Sequence, residues 1–223
     1  AKVKVNHVPF EVYMYQLVPR EGVEVLYNSK VDPENVYINP NGFPWFTLAF
    51  GMNSKALRDR YRNSLYNLGY GAIIKLDSFY RLKYGDSYES HVKLENETKC
   101  FDGSPCFTVS ISMPDFKYIN YIVKNNENLI TLSAKYIISE YMILEQNPGI
   151  KDYFDVIPGQ NIIIPSDYAK KITIYIDSKT FLPRELKFYD EKELFQNYRY
   201  SNIIINPPFR NNEFSIENPE YNF

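Results

Sequence analysis

Apolar and polar residues alternate with a period of two along most of this chain, and wherever that period holds for four residues or more it predicts a strand. After an opening near Val3, the first clear run is Phe10-Glu11-Val12-Tyr13-Met14-Tyr15. Pro19-Arg20-Glu21-Gly22 is a turn, and the next run, Val23 to Tyr27, puts Val23, Val25 and Tyr27 on one face. Val36-Tyr37-Ile38 and Trp45-Phe46-Thr47-Leu48 are the following strands, with Asn39-Pro40-Asn41-Gly42 between them. An antiparallel meander is expected. The period then lengthens. Ser54 is placed to cap a short helix through Tyr61, and Leu65, Leu68, Ile73, Leu76, Phe79 and Leu82 recur mostly three or four residues apart. That spacing predicts a helical stretch with one apolar face, loosened near Gly69 and Gly71.

Alternation returns at Tyr88 to Glu95 and at Cys106 to Met113, around the turn Phe101-Asp102-Gly103-Ser104. It returns again at Ile172 to Ile176, Glu185 to Tyr189 and Leu194 to Ile205, joined by the turns Asp177–Thr180 and Asp190–Glu193. The segment between these two groups has a different pattern. It opens with Tyr121-Ile122-Val123, crosses polar Lys124–Asn128, and enters a helix in which Leu129, Leu132, Ser133 and Tyr136 share a face. A second helix follows the N-cap candidate Ser139, turns Ile143 and Leu144 inward, and ends at Asn147-Pro148-Gly149. Pro158-Gly159-Gln160 then turns into the strand Asn161–Ile164, closed by Pro165. Strand, two helices and strand make a self-contained module.

Composition narrows the class. A chain of 223 residues fits one large domain or two small ones. Its 17% aromatic content, with 21 Tyr and 15 Phe against one Trp, favours strands. No apolar run is long enough to cross a membrane. The 25 Lys and Arg nearly balance 27 Asp and Glu, and no block of like charge offers a grip on nucleic acid or anionic lipid. The chain opens at Ala1 without Met, so either a targeting segment has been removed or the sequence starts inside a longer chain.

The module resembles the LysM domain, a βααβ fold that binds glycans containing N-acetylglucosamine, peptidoglycan above all. Asn128-Leu129-Ile130-Thr131-Leu132-Ser133 stands where that family has T-L-x-x-I-A, Lys135-Tyr136 matches its K-Y and Ile138-Ser139 its V-S. Ile143-Leu144, Asn147 and the closing Val156–Pro165, with Pro158-Gly159-Gln160 inside it, also match. The resemblance implies a glycan groove between two loops, Asn126, Glu127, Asn128 and Leu129 on one side and Asn147, Pro148, Gly149 and Ile150 on the other. Asn126-Glu127-Asn128 replaces the usual Gly-Asp-Thr, and Asn tolerates the left-handed turn that Gly would otherwise supply. Tyr153 and Phe154 in the second loop have two readings open to them, stacking on sugar rings or packing against the host sheet.

The outer segments resemble bacterial envelope proteins of unknown function with a LolA-like sheet, related to carriers of outer-membrane lipoproteins. That resemblance rests on Pro9–Met14 and Gly22–Tyr27 early, and on Tyr175–Pro183, Tyr189-Asp190, Tyr198–Ser201, Asn206 and Phe214 late. It implies an α+β fold: a curved antiparallel sheet with packed helices from residues 1–117 and 169–223, with the LysM-like module over 118–168. It also implies a location in the periplasm or at the outer membrane. A cavity for acyl chains would be lined by Val12, Met14, Val25, Trp45, Phe46, Leu48, Ile111, Ile174, Ile176 and Phe188, although a filled core is the simpler reading.

Cys100 and Cys106 flank one predicted hairpin turn and can reach a disulfide if its strands pair, as export would favour. Two thiols with no further ligands nearby make a poor metal site, and no cofactor is implied. His7 and His91 lack the neighbours of a nucleophile–base pair, no phosphate- or dinucleotide-binding motif occurs, and turn carboxylates such as Asp190 and Glu191 read as solvated. The expectation is therefore non-catalytic: a module that binds peptidoglycan, and a sheet that binds a lipid, lipoprotein or protein partner. The alternative is a hydrophobic-ligand carrier in which the module is structural.

Overall fold

The computed structural model describes residues 1–58 and 64–223, and its strands form three antiparallel sheets. The class is α+β. The chain divides into two units, residues 1–75 with 206–223, and residues 76–205.

In the first unit β1 (Lys2–His7), β2 (Phe10–Tyr15), β3 (Glu24–Asn28), β4 (Asp32–Asn39) and β5 (Leu48–Gly51) pair in sequence order. The register Val12↔Tyr27, Met14↔Val25 and Val25↔Ile38 gathers Val12, Val25, Tyr27, Val36 and Ile38 on one face. Met52, the short helix α1 (Lys55–Arg58) through Leu57, and Leu65 and Leu68 cover it. The expected continuation of α1 to Tyr61 lies outside the described residues. The opposite face presents Tyr13, Leu26 and Tyr37. It is covered by the C-terminal segment, through Phe209, Phe214, Tyr221 and Phe223, a covering that strand periodicity does not announce. Tyr13 and Tyr221 stack with centroids 3.7 Å apart.

Helix α2 (Gly71–Tyr84) follows, then α3 (Tyr88–His91), β6 (Val92–Lys99) and β7 (Pro105–Ser112). Next come β8 (Tyr118–Ile122), α4 (Leu129–Tyr136), α5 (Glu140–Gln146) and β9 (Asn161–Pro165), and finally β10 (Lys171–Asp177), β11 (Pro183–Tyr189) and β12 (Leu194–Arg199). The second five-stranded sheet has the order β12-β11-β10-β7-β6, while β8 and β9 pair only with each other. The host strands expected in one sheet thus lie in two ladders, because β5 pairs with β4, β6 pairs with β7, and a helical stretch separates them.

Three predicted strands shift, each for a local reason. Tyr88–His91 is helical because Tyr88 is buried with its hydroxyl donating to Asp77 of α2, 2.8 Å away. Trp45 and Phe46 precede β5, whose pairing starts at Leu48↔Ile38. Beyond Arg199 the apolar run to Ile205 has no ladder to join, since β11 begins at Pro183, which has no N–H to give.

The proposed cavity residues are divided between the two units. Val12, Val25, Ile111 and Phe188 are buried and Met14, Leu48, Ile174 and Ile176 half-buried, whereas Trp45 and Phe46 are 84% and 65% exposed. Beneath β2 and β3, Met14, Val25, Met52, Leu57 and Leu65 help line a void of about 10 Å³. That is room for one water at most, not an acyl chain. Cys100 and Cys106 are joined across their hairpin, with Cα atoms 5.5 Å apart.

Candidate functional site

The segment from β8 to β9 is a module with its own core. Val123, Leu129, Leu132, Ile138, Ile143, Ile150, Tyr153, Ile162 and Ile164 are buried together, with Tyr121, Ile130, Tyr136, Leu144, Phe154 and Val156 packed around them. Each turn is held by a polar side chain. Asn128 caps α4 in a reciprocal box: its Oδ1 accepts from the Thr131 amide at 2.9 Å, and Thr131 Oγ1 accepts from the Asn128 amide at 2.8 Å. Ser139 caps α5 through the Met142 amide. Asn147 donates Nδ2 to the carbonyls of Ile143 (2.6 Å) and Ile163 (2.7 Å) and accepts the Ile163 amide on Oδ1 (2.8 Å), tying the end of α5 to β9. In the Pro158-Gly159-Gln160 turn, Gly159 takes φ +84° and donates to the Val123 carbonyl, while Gln160 accepts the Ile157 amide.

The loop before α4 keeps its turn without glycine, since Asn126 adopts φ 63°. Glu127 then serves the module itself. Its carboxylate accepts from the Tyr121 hydroxyl (2.8 Å), the Lys124 amide (2.9 Å) and the Lys135 ammonium (2.9 Å). Partial burial alone pushes this carboxyl up, but Lys135, the Lys124 amide and Tyr121 outweigh it and hold the group at about 2.

The eight residues expected to form the groove therefore divide by task. Leu129 and Ile150 are buried in the core, and Asn128, Glu127 and Asn147 hold backbone or one another's neighbours. Asn126, Pro148 and Gly149 face solvent, as does Asn125. No atom lies within 4 Å of where a Cβ on Gly149 would stand. The Leu129 amide donates to the Tyr153 carbonyl at 3.0 Å, which brings the two loops together. Tyr153 is buried in the module's own core and Phe154 packs half-buried against that core.

The module is fixed within its unit rather than tethered. Its two connections pair with each other, Ser166 N to Lys117 O at 2.8 Å and Met113 N to Lys170 O at 2.8 Å. Helix α2 grips the outgoing one. Lys83 donates to the Ser166 carbonyl at 2.7 Å and to the Asp167 carboxylate, Tyr84 donates to that carboxylate, and the Tyr80 hydroxyl accepts the Tyr168 amide at 3.1 Å. Burial, and then the bond to Asp167, push the Tyr84 phenol above its ordinary range.

Residues 121–165 match the LysM domain. The LysM match spans the strand, both helices and the closing strand described above, and it supports glycan binding as the segment's class of activity. Residues 163–223 match a family described as protein of unknown function (DUF1571). Neither match is to a catalytic family. No curated protein and no solved structure gives a significant match.

Outside the LysM segment the expected chemistry is sparse. His7 lies against Gly69 and Gly71, and His91 packs at a tilt against Tyr84 with centroids 4.7 Å apart. Asp190 is buried rather than solvated, accepting the Lys192 and Glu193 amides at 2.7 Å each to close its hairpin. Among the described residues no three His, Cys, Asp or Glu side chains gather where a metal ion could be held, and no helix is long and apolar enough to cross a membrane.

Proposed function

We propose that the LysM segment binds a glycan containing N-acetylglucosamine, with peptidoglycan the first candidate, and holds the two-sheet remainder at the bacterial cell envelope in a non-catalytic role. The observation that carries this reading is the match over residues 121–165 together with an intact module whose Gly149 opens onto free space. In this reading Asn126, Pro148 and Gly149 meet the sugar. Glu127, Asn128, Leu129, Asn147 and Ile150 shape the loops from beneath, and backbone amides supply most of the hydrogen bonds.

The test is retention of the full chain on purified peptidoglycan sacculi, with Gly149→Trp to fill the open space and Asn126→Gly to remove a carboxamide while keeping its turn. Retention by the parent and its loss in Gly149→Trp, with the circular dichroism unchanged, is the expected result. A parent chain that is not retained overturns the proposal.

One observation favours a second reading, in which the module is purely structural: the polar side chains of Glu127, Asn128 and Asn147 are already spent on internal bonds.

A further inference from the structure

In the first unit, the turn between β2 and β3 and the loop between β4 and β5 leave the sheet at the same end of its strands, since Glu24 pairs with Asn39. The two are latched together. Arg20 Nη2 donates to the Asn41 carbonyl at 3.0 Å, and Asn41 Nδ2 donates to the Glu21 carbonyl at 3.1 Å. Gly22, at φ +87°, leaves no room for a Cβ against Asn41. Beyond this latch the loop carries Phe43, Trp45 and Phe46 at 82%, 84% and 65% exposure, and the neighbouring turn adds exposed Leu17 and Val18.

Large apolar side chains this exposed and this close in sequence are uncommon on a soluble surface and mark an interaction site. Their chemistry selects the partner. No Asp, Glu, Lys or Arg occurs from Asn35 to Ser54, so the β4–β5 loop offers no charge to pair with a protein or an anionic polymer. A sugar platform would set aromatic rings among hydrogen-bonding side chains, but in sequence Trp45 is flanked by Phe43, Pro44 and Phe46, and the adjoining turn exposes Leu17 and Val18. A Trp flanked by Phe on an uncharged loop, beside a turn whose Leu17 and Val18 are exposed together with one cation and one anion, Arg20 and Glu21, suits the boundary between lipid headgroups and acyl chains. We propose that this tip inserts into the interface of a lipid bilayer and seats the first unit on a membrane. The proposal stands apart from glycan binding.

Trp45 is the chain's single tryptophan, so its emission reports the tip alone. Full-length protein is titrated with vesicles of phosphatidylethanolamine and phosphatidylglycerol, and in parallel with a chito-oligosaccharide and with increasing protein. The expected result is a blue shift and protection from acrylamide with vesicles only, retained at about 0.5 M salt, where charge–charge attraction is screened. Phe43→Ser with Phe46→Ser keeps the reporter and is expected to weaken vesicle co-sedimentation roughly tenfold or more. Emission unchanged at millimolar lipid overturns the proposal. A shift produced by the sugar or by the protein itself, without one from vesicles, overturns it in favour of a glycan platform or a second copy.

Discussion

The LysM module closes its turns with polar side chains, Asn128, Ser139 and Asn147, whereas the β1–β5 sheet closes its second face with rings from Phe209, Phe214, Tyr221 and Phe223. The two solutions leave different traces. A cap needs a particular donor or acceptor at a particular step from a helix end, so the module is written in fixed letters at fixed spacing. A covering of rings needs mainly apolar bulk delivered to the sheet, here also pinned by Asn222 on Glu24 and by Lys4 on Glu213, and a segment without secondary structure can deliver it at no set period. The module is thus recognisable from a few dozen residues, while the cover of the sheet becomes visible only when the chain is folded.

The sharpest way to break this comparison is to remove one ring. Phe214 is 6% exposed and packs with Tyr13 and Leu26, its centroid 4.9 Å from that of Phe209. Phe214→Ala removes buried area and leaves a cavity, so it is expected to destabilise the first unit by about 3 to 5 kcal/mol. Hydrogen exchange would show faster opening of β2 and β3 while β8 and β9 keep their protection. Equal loss of protection in both regions would mean that the cover stabilises far more than its own sheet.

The matching experiment in the module is Asn147→Ala. Three hydrogen bonds go at once, and the Ile143 and Ile163 carbonyls lose a donor. A cost of about 2 to 4 kcal/mol, confined to exchange in α5 and β9, is expected. A loss below about 1 kcal/mol would mean that water takes over the clamp, and that Asn147 stands at its position for a reason other than the fold.

What was legible in the sequence follows the same division. The cap at Ser139, the Pro158-Gly159-Gln160 turn and the alternation of β2, β3, β7 and β10 could all be read, because each depends on neighbours within a few residues. The strand expected at Tyr88 could not, since its helix depends on a bond to Asp77 in α2. Nor could the role of Glu127. Its carboxylate stands where the resemblance puts a ligand contact, yet Tyr121, six residues back, and Lys135, eight residues on, consume its oxygens. The place of Trp45 and Phe46 was missed for a related reason: alternation marks an apolar face but does not say whether anything covers it, and here the pattern runs into an uncovered loop.

The smallest expected effect concerns a position where the module departs from its own economy. Ile137 ends α4 at φ 50° and ψ 54°, its amide donating to the Ser133 carbonyl. A β-branched side chain in the left-handed region meets the neighbouring carbonyl and costs about 1 to 2 kcal/mol. Asn adopts that conformation more readily, as Asn126 does at φ 63° in the preceding loop, and unlike Gly it adds little freedom to the unfolded chain. Ile137 is only half-buried, so part of the relief is offset by lost apolar contact. Ile137→Asn is therefore expected to stabilise the module by about 0.5 to 1 kcal/mol, read as slower exchange in α4 and β9. A variant less stable than the parent would show that packing at Ile137 outweighs its backbone strain, and that the module too relies in part on apolar bulk placed without regard to local geometry.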